Sequence, residues 1–457
     1  MAEFKVKFED TICSLLAERK FSTIKDILST MAASDITALF ERVDEKQVPV
    51  IFRLLSKDNA ADVFVEMDND FQELLIKSFS DSELKSILDE LYAADAADLI
   101  EEMPANVVDR ILSQIDPDTR KEINQLLQYP EDSAGSIMTT EYVSLCLGTT
   151  VGEAINHIRK TGINNRAFYT CYITQNKKLV GRLSVKDLLL AKDDGVKIDE
   201  LVKRDVISVN TLDDKEQVAK MLSKYNFFAI PVVDSDGRMV GIISFDDALE
   251  VMEDEATEDI EIMGGMTPSE KTYLRSTPLD LFKHRIIWLL LLMVSATFTG
   301  MIITNFESAL AVQVVLTAFI PMLMDTGGNS GSQSSVTIIR ALSLGEVEFR
   351  DLPTVVWKEI RTAVLCGITL ASACFVKLLV VDRLILKNTA VTPFVMLVVC
   401  LTMACTVLVA KIIGCVLPMC ARKMNLDPAV MASPFITTIV DAVSLLVYFT
   451  IANVVLH

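Results

Sequence analysis

The chain has 457 residues with 62 acids, 43 bases and a formal net charge of −19, and 51% of its residues are hydrophobic. Residues 1–283 carry 53 acids and 32 bases, a net charge of −21, while residues 284–457 stand at about +2. This imbalance speaks against nucleic acid or anionic lipid as partners of the acidic front and for cations, with solubility alone as the plainer alternative.

Nine cysteines show no paired spacing, and six of them lie in or beside apolar stretches, so no disulfide framework is expected. That suits a cytosolic front half. The three histidines, His157, His284 and His457, stand far apart, which removes histidine-based zinc sites. No nucleophile, acid–base pair or phosphate loop stands out, so an enzyme is not expected. The charged start MAEFKVKFED predicts no cleaved signal peptide.

Residues 1–130 read as an acidic α-helical domain, with helical periodicity and few β-branched runs. Ala60-Ala-Asp62-Val-Phe-Val-Glu-Met67 returns as Ala96-Ala-Asp98-Leu-Ile-Glu-Glu-Met103, 36 residues later. The spacing suggests stacked helical hairpins in a small superhelical solenoid. Asp62, Glu66, Asp95, Asp98, Glu101 and Glu102 then tend toward exposed faces.

A second repeat follows. Gly181-Arg-Leu-Ser-Val-Lys-Asp187 recurs 60 residues on as Gly241-Ile-Ile-Ser-Phe-Asp-Asp247. Each copy follows a β-like run (169–173 and 229–233) and a polar turn, and each ends in Ser-x-x-Asp, a capping-type helix start. Helical patterns at 151–160 and 215–225 complete two β-α-β-β-α units. Residues 138–200 and 203–262 resemble a tandem cystathionine-β-synthase (CBS) pair, the second running into a further helix. Such pairs often bind adenine nucleotides with this acid on the ribose, which makes Asp187 and Asp247 the candidates for ATP. Simple helix caps account for them equally well.

Residues 250–261 carry seven acids and no base. Helical spacing groups Asp247, Glu250, Asp254, Glu258 and Glu261 on one face, where like charges repel. Such a helix calls for cations or a basic partner, unless it is a bare exposed linker. Residues 263–285 then lead into the membrane.

Five spans are expected at about 286–304, 308–339, 362–381, 391–417 and 428–456, together forming the domain 286–457. Bases cluster around the first span's start and in the 340–361 and 411–427 loops, so the positive-inside rule places the N-terminus inside and the C-terminus outside. The second span contains 325–335, where Gly327, Gly328 and Gly331 permit either a broken helix or very close helix contact. Asn329 and Gln333 present amides on one face, and Asp325 is placed as the cap of a half-helix. Lys377 is the one base read as lying well inside a span.

Asp441 is the only charge between Pro428 and Leu456. A carboxylate at that depth costs about 2.5–3.5 kcal/mol on insertion scales, tolerable where it faces water, a cation or a basic partner. Ser433, Thr437, Asp441 and Ser444 form one polar stripe on the helix.

This order of parts resembles the MgtE-type magnesium channel family, over the whole chain. The most specific matches are Pro321-Met-Leu-Met-Asp-Thr-Gly-Gly-Asn-Ser-Gly-Ser-Gln333 with Arg340-Ala-Leu, and Asp427-Pro-Ala-Val with Pro434-Phe-Ile-Thr-Thr-Ile-Val-Asp441. Glu255-Ala-Thr-Glu-Asp259 matches the connecting helix of that family. The resemblance implies a multidomain α and α+β protein of the bacterial cell membrane, its soluble domains cytoplasmic. It implies a homodimer with the pore between the two last spans, and Asp441 as the ion-selective acid. Ser433 stands where some relatives carry Asn. The implied function is magnesium uptake, closed when magnesium occupies Asp95, Asp98, Asp247, Glu250, Asp254, Glu255, Glu258, Asp259 and Asp427. Magnesium retains water and needs few direct ligands, which a lone carboxylate with Thr437 and Ser433 can supply. An ion-coupled transporter of magnesium, cobalt or manganese, and a non-transporting CBS sensor, are the alternatives.

Overall fold

The computed structural model describes residues 11–161, 168–269, 273, 276–306 and 314–456; the side chains of residues 58, 433 and 456 lie outside that description. Contacts divide the chain into two units, Met1–Glu253 and Asp254–His457.

The first unit opens with a run of short helices, from Phe21–Leu28 to Pro117–Leu126. The 36-residue repeat falls on two of them, Lys57–Val65 and Ala93–Glu102. Ala60, Ala61, Val63, Phe64 and Met67 are buried, and so are their counterparts Ala96, Ala97, Leu99, Ile100 and Met103. Asp62 and Asp98 point outward from equivalent positions. The repeat thus preserves one buried face and one acidic face, as a stacked helical array requires. Arg110 ties its helix Ala105–Gln114 to the junction of two earlier ones, Asn69–Ser78 and Asp81–Leu88, by donating to the Ile76 and Phe79 carbonyls and pairing with Asp81 at 2.9 Å.

Two small sheets follow: β1 (Ser144–Cys146), β2 (Thr170–Gln175) and β3 (Lys178–Ser184), then β4 (Val209–Asn210), β5 (Ala229–Val233) and β6 (Met239–Ser244). In each, the first strand pairs parallel to the second and the second antiparallel to the third. A helix crosses over between the first two strands, Val151–Thr161 in one copy and Lys215–Tyr225 in the other. The β2–β3 turn has Asn176 and Lys177 both at positive φ, the geometry of a two-residue hairpin. Gly181 and Gly241 are matched in space as in sequence: a Cβ would strike Val202 at 2.3 Å in the first and the Thr139 carbonyl at 2.7 Å in the second. The second sheet shares its hydrophobic core with the helical array, through Val209, Ile230, Val232 and Ile243.

The helix Phe245–Met263 leaves the second sheet and runs across the division into the second unit. It ends at Gly264 and Gly265, where Met266 N donates back to Glu261 O at 2.9 Å. Among the described residues four helices are long and apolar enough to cross a membrane: Pro278–Asn305, Phe349–Ile385, Pro393–Lys423 and Pro428–Val455. A fifth long helix, Ile320–Ser343, falls short of them in hydropathy because of its Gly, Ser and Asn content.

Several expectations change here. The span expected at 308–339 is a turn, Val314–Phe319, leading into Ile320–Ser343; residues 307–313 lie outside the described residues. The loop expected at 340–361 is short, because helix resumes at Leu352 and carries Lys358, Glu359 and Arg361. Lys411 belongs to no loop: it sits inside Pro393–Lys423, 5% exposed. Lys377 is the exposed member of a pair with Asp382, 2.9 Å away at the start of a π-turn.

Candidate functional site

The helix Ile320–Ser343 is continuous through all three glycines, so the broken-helix expectation for 325–335 is corrected in favour of close contact. A Cβ added at Gly327 would come to 2.6 Å from Thr406 Cγ2 and 2.9 Å from Ser444 Oγ. One at Gly331 would meet Ile436 Cγ2 at 2.9 Å and the Ala410 carbonyl at 3.2 Å. The glycines let this helix approach two others, Pro393–Lys423 and the terminal helix Ser433–Leu456, more closely than side chains would allow. Asp325 lies within the helix and caps nothing; its Oδ1 accepts from Asn329 Nδ2 at 3.1 Å. With Asn329 and Gln333 it forms an exposed polar stripe at i, i+4, i+8.

Gly328 brings this helix against the site. A Cβ there would lie 3.0 Å from Thr437 Cγ2 and 3.7 Å from Asp441 Oδ1. Asp441 is half-buried, and Asp325 is within electrostatic reach of it. Among the described residues no Lys, Arg or His is ion-paired with Asp441; the buried base of this unit, Lys411, is committed to Glu359 and Ser334. Thr437 is half-buried one turn earlier, and its hydroxyl donates to Pro434 O at 2.9 Å, leaving its lone pairs as acceptors. Ser444 departs from the expected stripe: it is 3% exposed, packed on the Gly327 side. Ser433 begins the helix, but its side chain lies outside the described residues. What remains is a carboxylate, a hydroxyl and a second carboxylate across a glycine contact, without a compensating base among the described residues. That donor set suits a hydrated hard cation and offers no soft ligand.

The acidic residues expected to be regulatory are spread over several elements. Asp98 is exposed outward, yet protein crowds its other sides and desolvation pushes its carboxyl up to about 7, with repulsion from Asp95, Glu102, Glu101 and Glu250 adding to it. Desolvation also raises Glu101, with Glu131 acting in the same direction. The structure therefore brings Asp98 of the helical array into electrostatic contact both with Asp95 on its own helix and with Glu250 of the following helix. Asp254, Glu255, Glu258 and Asp259 continue along that helix, Glu255 and Asp259 half-buried and the others exposed. Asp427 is exposed and caps the short turn Pro428–Met431 by accepting from Ala429 N at 2.8 Å. Among the described residues no group of three His, Cys, Asp or Glu side chains is arranged to hold a metal ion.

The two Ser-x-x-Asp acids differ. Asp247 accepts from the Ser244 N–H and hydroxyl while Ser244 Oγ accepts from Asp247 N, so it is a helix cap. Asp187 makes no such box. Its Oδ2 faces Lys203 Nζ at 3.5 Å and, among the described residues, accepts no hydrogen bond although buried.

A helical N-terminal array, a doubled βαββα unit and a set of long apolar helices around an intramembrane acid together describe a membrane cation transporter with soluble domains. Comparison with known proteins is more specific. Residues 320–451 match the MgtE divalent cation transporter model, residues 9–132 the MgtE intracellular N domain, and residues 134–194 and 198–254 the CBS domain. The chain is 33% identical to the magnesium transporter MgtE of Thermus thermophilus over 448 residues, 97% of each chain. It is 31% identical to that of Bacillus subtilis over 451 residues, 98% of this chain and 97% of the relative. The chain belongs to the MgtE family of divalent cation transporters. Among solved structures, the cytosolic domain of the Mg2+ channel MgtE in complex with ATP is 32% identical, with a TM-score of 0.51, covering 53% of this chain and 99% of that one. The soluble part of a magnesium transporter is 28% identical at the same TM-score, covering 55% and 99%.

Proposed function

We propose that this protein is a magnesium channel of the cell membrane, in which two copies of the chain line a pore with their terminal helices and Asp441 is the charge that draws the ion in. The observation that carries this reading is a carboxylate in a helix long and apolar enough to cross a membrane, with no base paired to it among the described residues and with Gly328 against both it and Thr437. Two symmetry-related carboxylates would attract a hydrated divalent ion while few direct ligands let it leave. The exposed stripe Asp325, Asn329, Gln333 adds oxygen and amide groups suited to the ion's waters. Ile320–Ser343 would serve as the fifth crossing, its polar face turned from lipid, with the soluble domains in the cytoplasm and the C-terminus outside.

The acids Asp95, Asp98, Asp247, Glu250, Asp254, Glu255, Glu258, Asp259 and Asp427 would act as a magnesium gauge. Bound ions relieve the repulsion already felt by Asp98 and favour a closed state. Passing from mostly open to mostly closed requires a binding difference of about 5.5 kcal/mol, which several weak hydrated sites can share. Hydrated sites need no enclosing set of three acids. Asp187, whose Oδ2 faces Lys203 but accepts no hydrogen bond among the described residues, is the better placed of the two acids for an ATP ribose.

The deciding experiment is magnesium flux into liposomes holding the full-length protein. Asp441→Asn should abolish flux while the protein stays folded and dimeric; normal flux would remove the pore assignment. Flux that depends on an imposed proton or sodium gradient would favour coupled transport instead.

A further inference from the structure

Ser334, Glu359 and Lys411 come from three different helices and meet in the interior of the second unit. Ser334 Oγ donates to Glu359 Oε2 at 2.7 Å, and Lys411 Nζ donates to the same Ser334 oxygen at 3.3 Å. Lys411 Nζ and Glu359 Oε2 are 4.0 Å apart, with side chains only 6% and 14% exposed. One hydroxyl therefore bridges the ammonium and the carboxylate, using both its donor and an acceptor lone pair. Replacing a buried ion pair by apolar side chains of similar volume is often neutral or stabilising, so stability alone is a weak reason for a lysine here.

The neighbouring contacts supply a better reason. In its middle Ile320–Ser343 meets its partners through Gly327, Gly328 and Gly331, which present no side chains, while its apolar contacts Leu323, Ile338 and Leu342 lie toward its two ends. A glycine stretch packs closely but does little by itself to choose between one height or rotation and the next. Hydrogen bonds do choose, because they are directional and costly to leave unmade in an apolar interior. Two neighbouring serines provide them. Ser334 reaches Glu359 and Lys411, and Ser335 Oγ donates to Met431 O at 2.7 Å, just before the terminal helix.

We propose that Ser334, Glu359 and Lys411 form a register lock that holds Ile320–Ser343 at the one height and rotation where Gly328 lies against Asp441 and Thr437. They are positioning residues: they touch no ion, and they set magnesium affinity through the helix they pin. The inference rests on Asp441 being the transport site.

The test is magnesium flux against magnesium concentration for the full-length protein in liposomes, with calcium flux measured in parallel. Lys411→Met and Glu359→Gln should each raise the half-saturating magnesium concentration about tenfold, the scale of losing an outer partner of a metal-binding group. They should also lower the magnesium-to-calcium ratio. Lys411→Arg, Glu359→Asp and Ser334→Thr keep the charges or the hydroxyl and should stay close to wild type. If the lysine variants do not yield monodisperse protein, Ser334→Ala and the reversed pair Lys411→Glu with Glu359→Lys carry the test. The reversed pair should recover what either single reversal loses. Unchanged half-saturation and ion ratio in Ser334→Ala, or a loss of maximal flux alone in Lys411→Met, would overturn the lock. Asp441→Asn run beside them separates the two ideas: flux in that variant defeats the pore reading, whereas a silent Asp441→Asn with indifferent lock variants defeats only the lock.

Discussion

Gly331 and Gly414 meet backbone to backbone: a Cβ added at Gly414 would lie 2.3 Å from the Gly331 carbonyl oxygen. No far end of a flexible side chain is available to yield, so a methyl group there must separate two helices. Gly414→Ala should therefore lower the thermal stability of the membrane unit by about 1–3 kcal/mol and reduce flux, since the displaced helix also carries Gly328. Thermal unfolding in detergent and liposome flux check this together. Gly300→Ala, where nothing among the described residues lies within 4 Å, is the control: it should leave flux unchanged and not lower stability.

Asp98 gives a pH prediction. Its carboxyl is raised to about 7 in the folded state from the ordinary 3.8, so between those values the folded chain binds more protons than the unfolded one. Stability from this group is then greatest at low pH and falls as pH rises from about 4 to about 7. Asp98→Asn should raise the melting temperature of the soluble region near pH 8 and flatten its pH dependence. Magnesium should stabilise the wild type more at pH 8 than at pH 5. A wild-type melting temperature that rises smoothly over this range, unaltered in Asp98→Asn, would contradict the assignment.

Closure by magnesium should be visible as protection. Proteolysis of residues 1–283 should slow in millimolar magnesium, and neutralising Glu255, Glu258 and Asp259 together should shift the concentration at which it slows. Deleting residues 1–130 should leave a conducting channel that closes less completely. A truncated protein that closes as sharply as the intact one would remove the gauge and leave the pore untouched.

Calorimetry with ATP separates the two Ser-x-x-Asp acids. Asp187→Ala should weaken binding and leave the fold intact, because Asp187 supports no helix cap. Asp247→Ala should instead lower stability by on the order of 1 kcal/mol through the lost capping box, with a smaller effect on ATP. The absence of any heat from the wild type would reduce both acids to structural roles.

The soluble half was largely legible because its repeats preserve burial as well as letters. Val63 and Leu99, or Gly181 and Gly241, occupy the same environment in each copy, so a spacing in sequence became a spacing in space. The glycine segment was not legible to the same degree. Gly327, Gly328 and Gly331 look alike in sequence whether a helix breaks or a neighbour comes close, and only Thr406, Ile436 and Ala410, 79 or more residues away in the chain, decide it. Lys411 was missed for a related reason. The expected span 391–417 already contains it, which is the signal, but assigning it to the following loop hid the need for a partner. Glu359 and Ser334 satisfy that need from two other helices, a pairing that local periodicity does not carry.

The turn at Gly265 has one more bearing. Its φ is +70°, and a Cβ there would come within 2.9 Å of Pro434 Cγ, in the first turn of the terminal helix. Pro434 O in turn accepts from the hydroxyls of Thr437 and Thr438 at 2.9 and 3.0 Å. The glycine thus leaves just enough room for a proline ring whose carbonyl is tied to the turn preceding Asp441. The end of the acidic helix and the first turn of the helix that carries Asp441 are thus fitted to each other at position 265, where any side chain would have to push Pro434 aside.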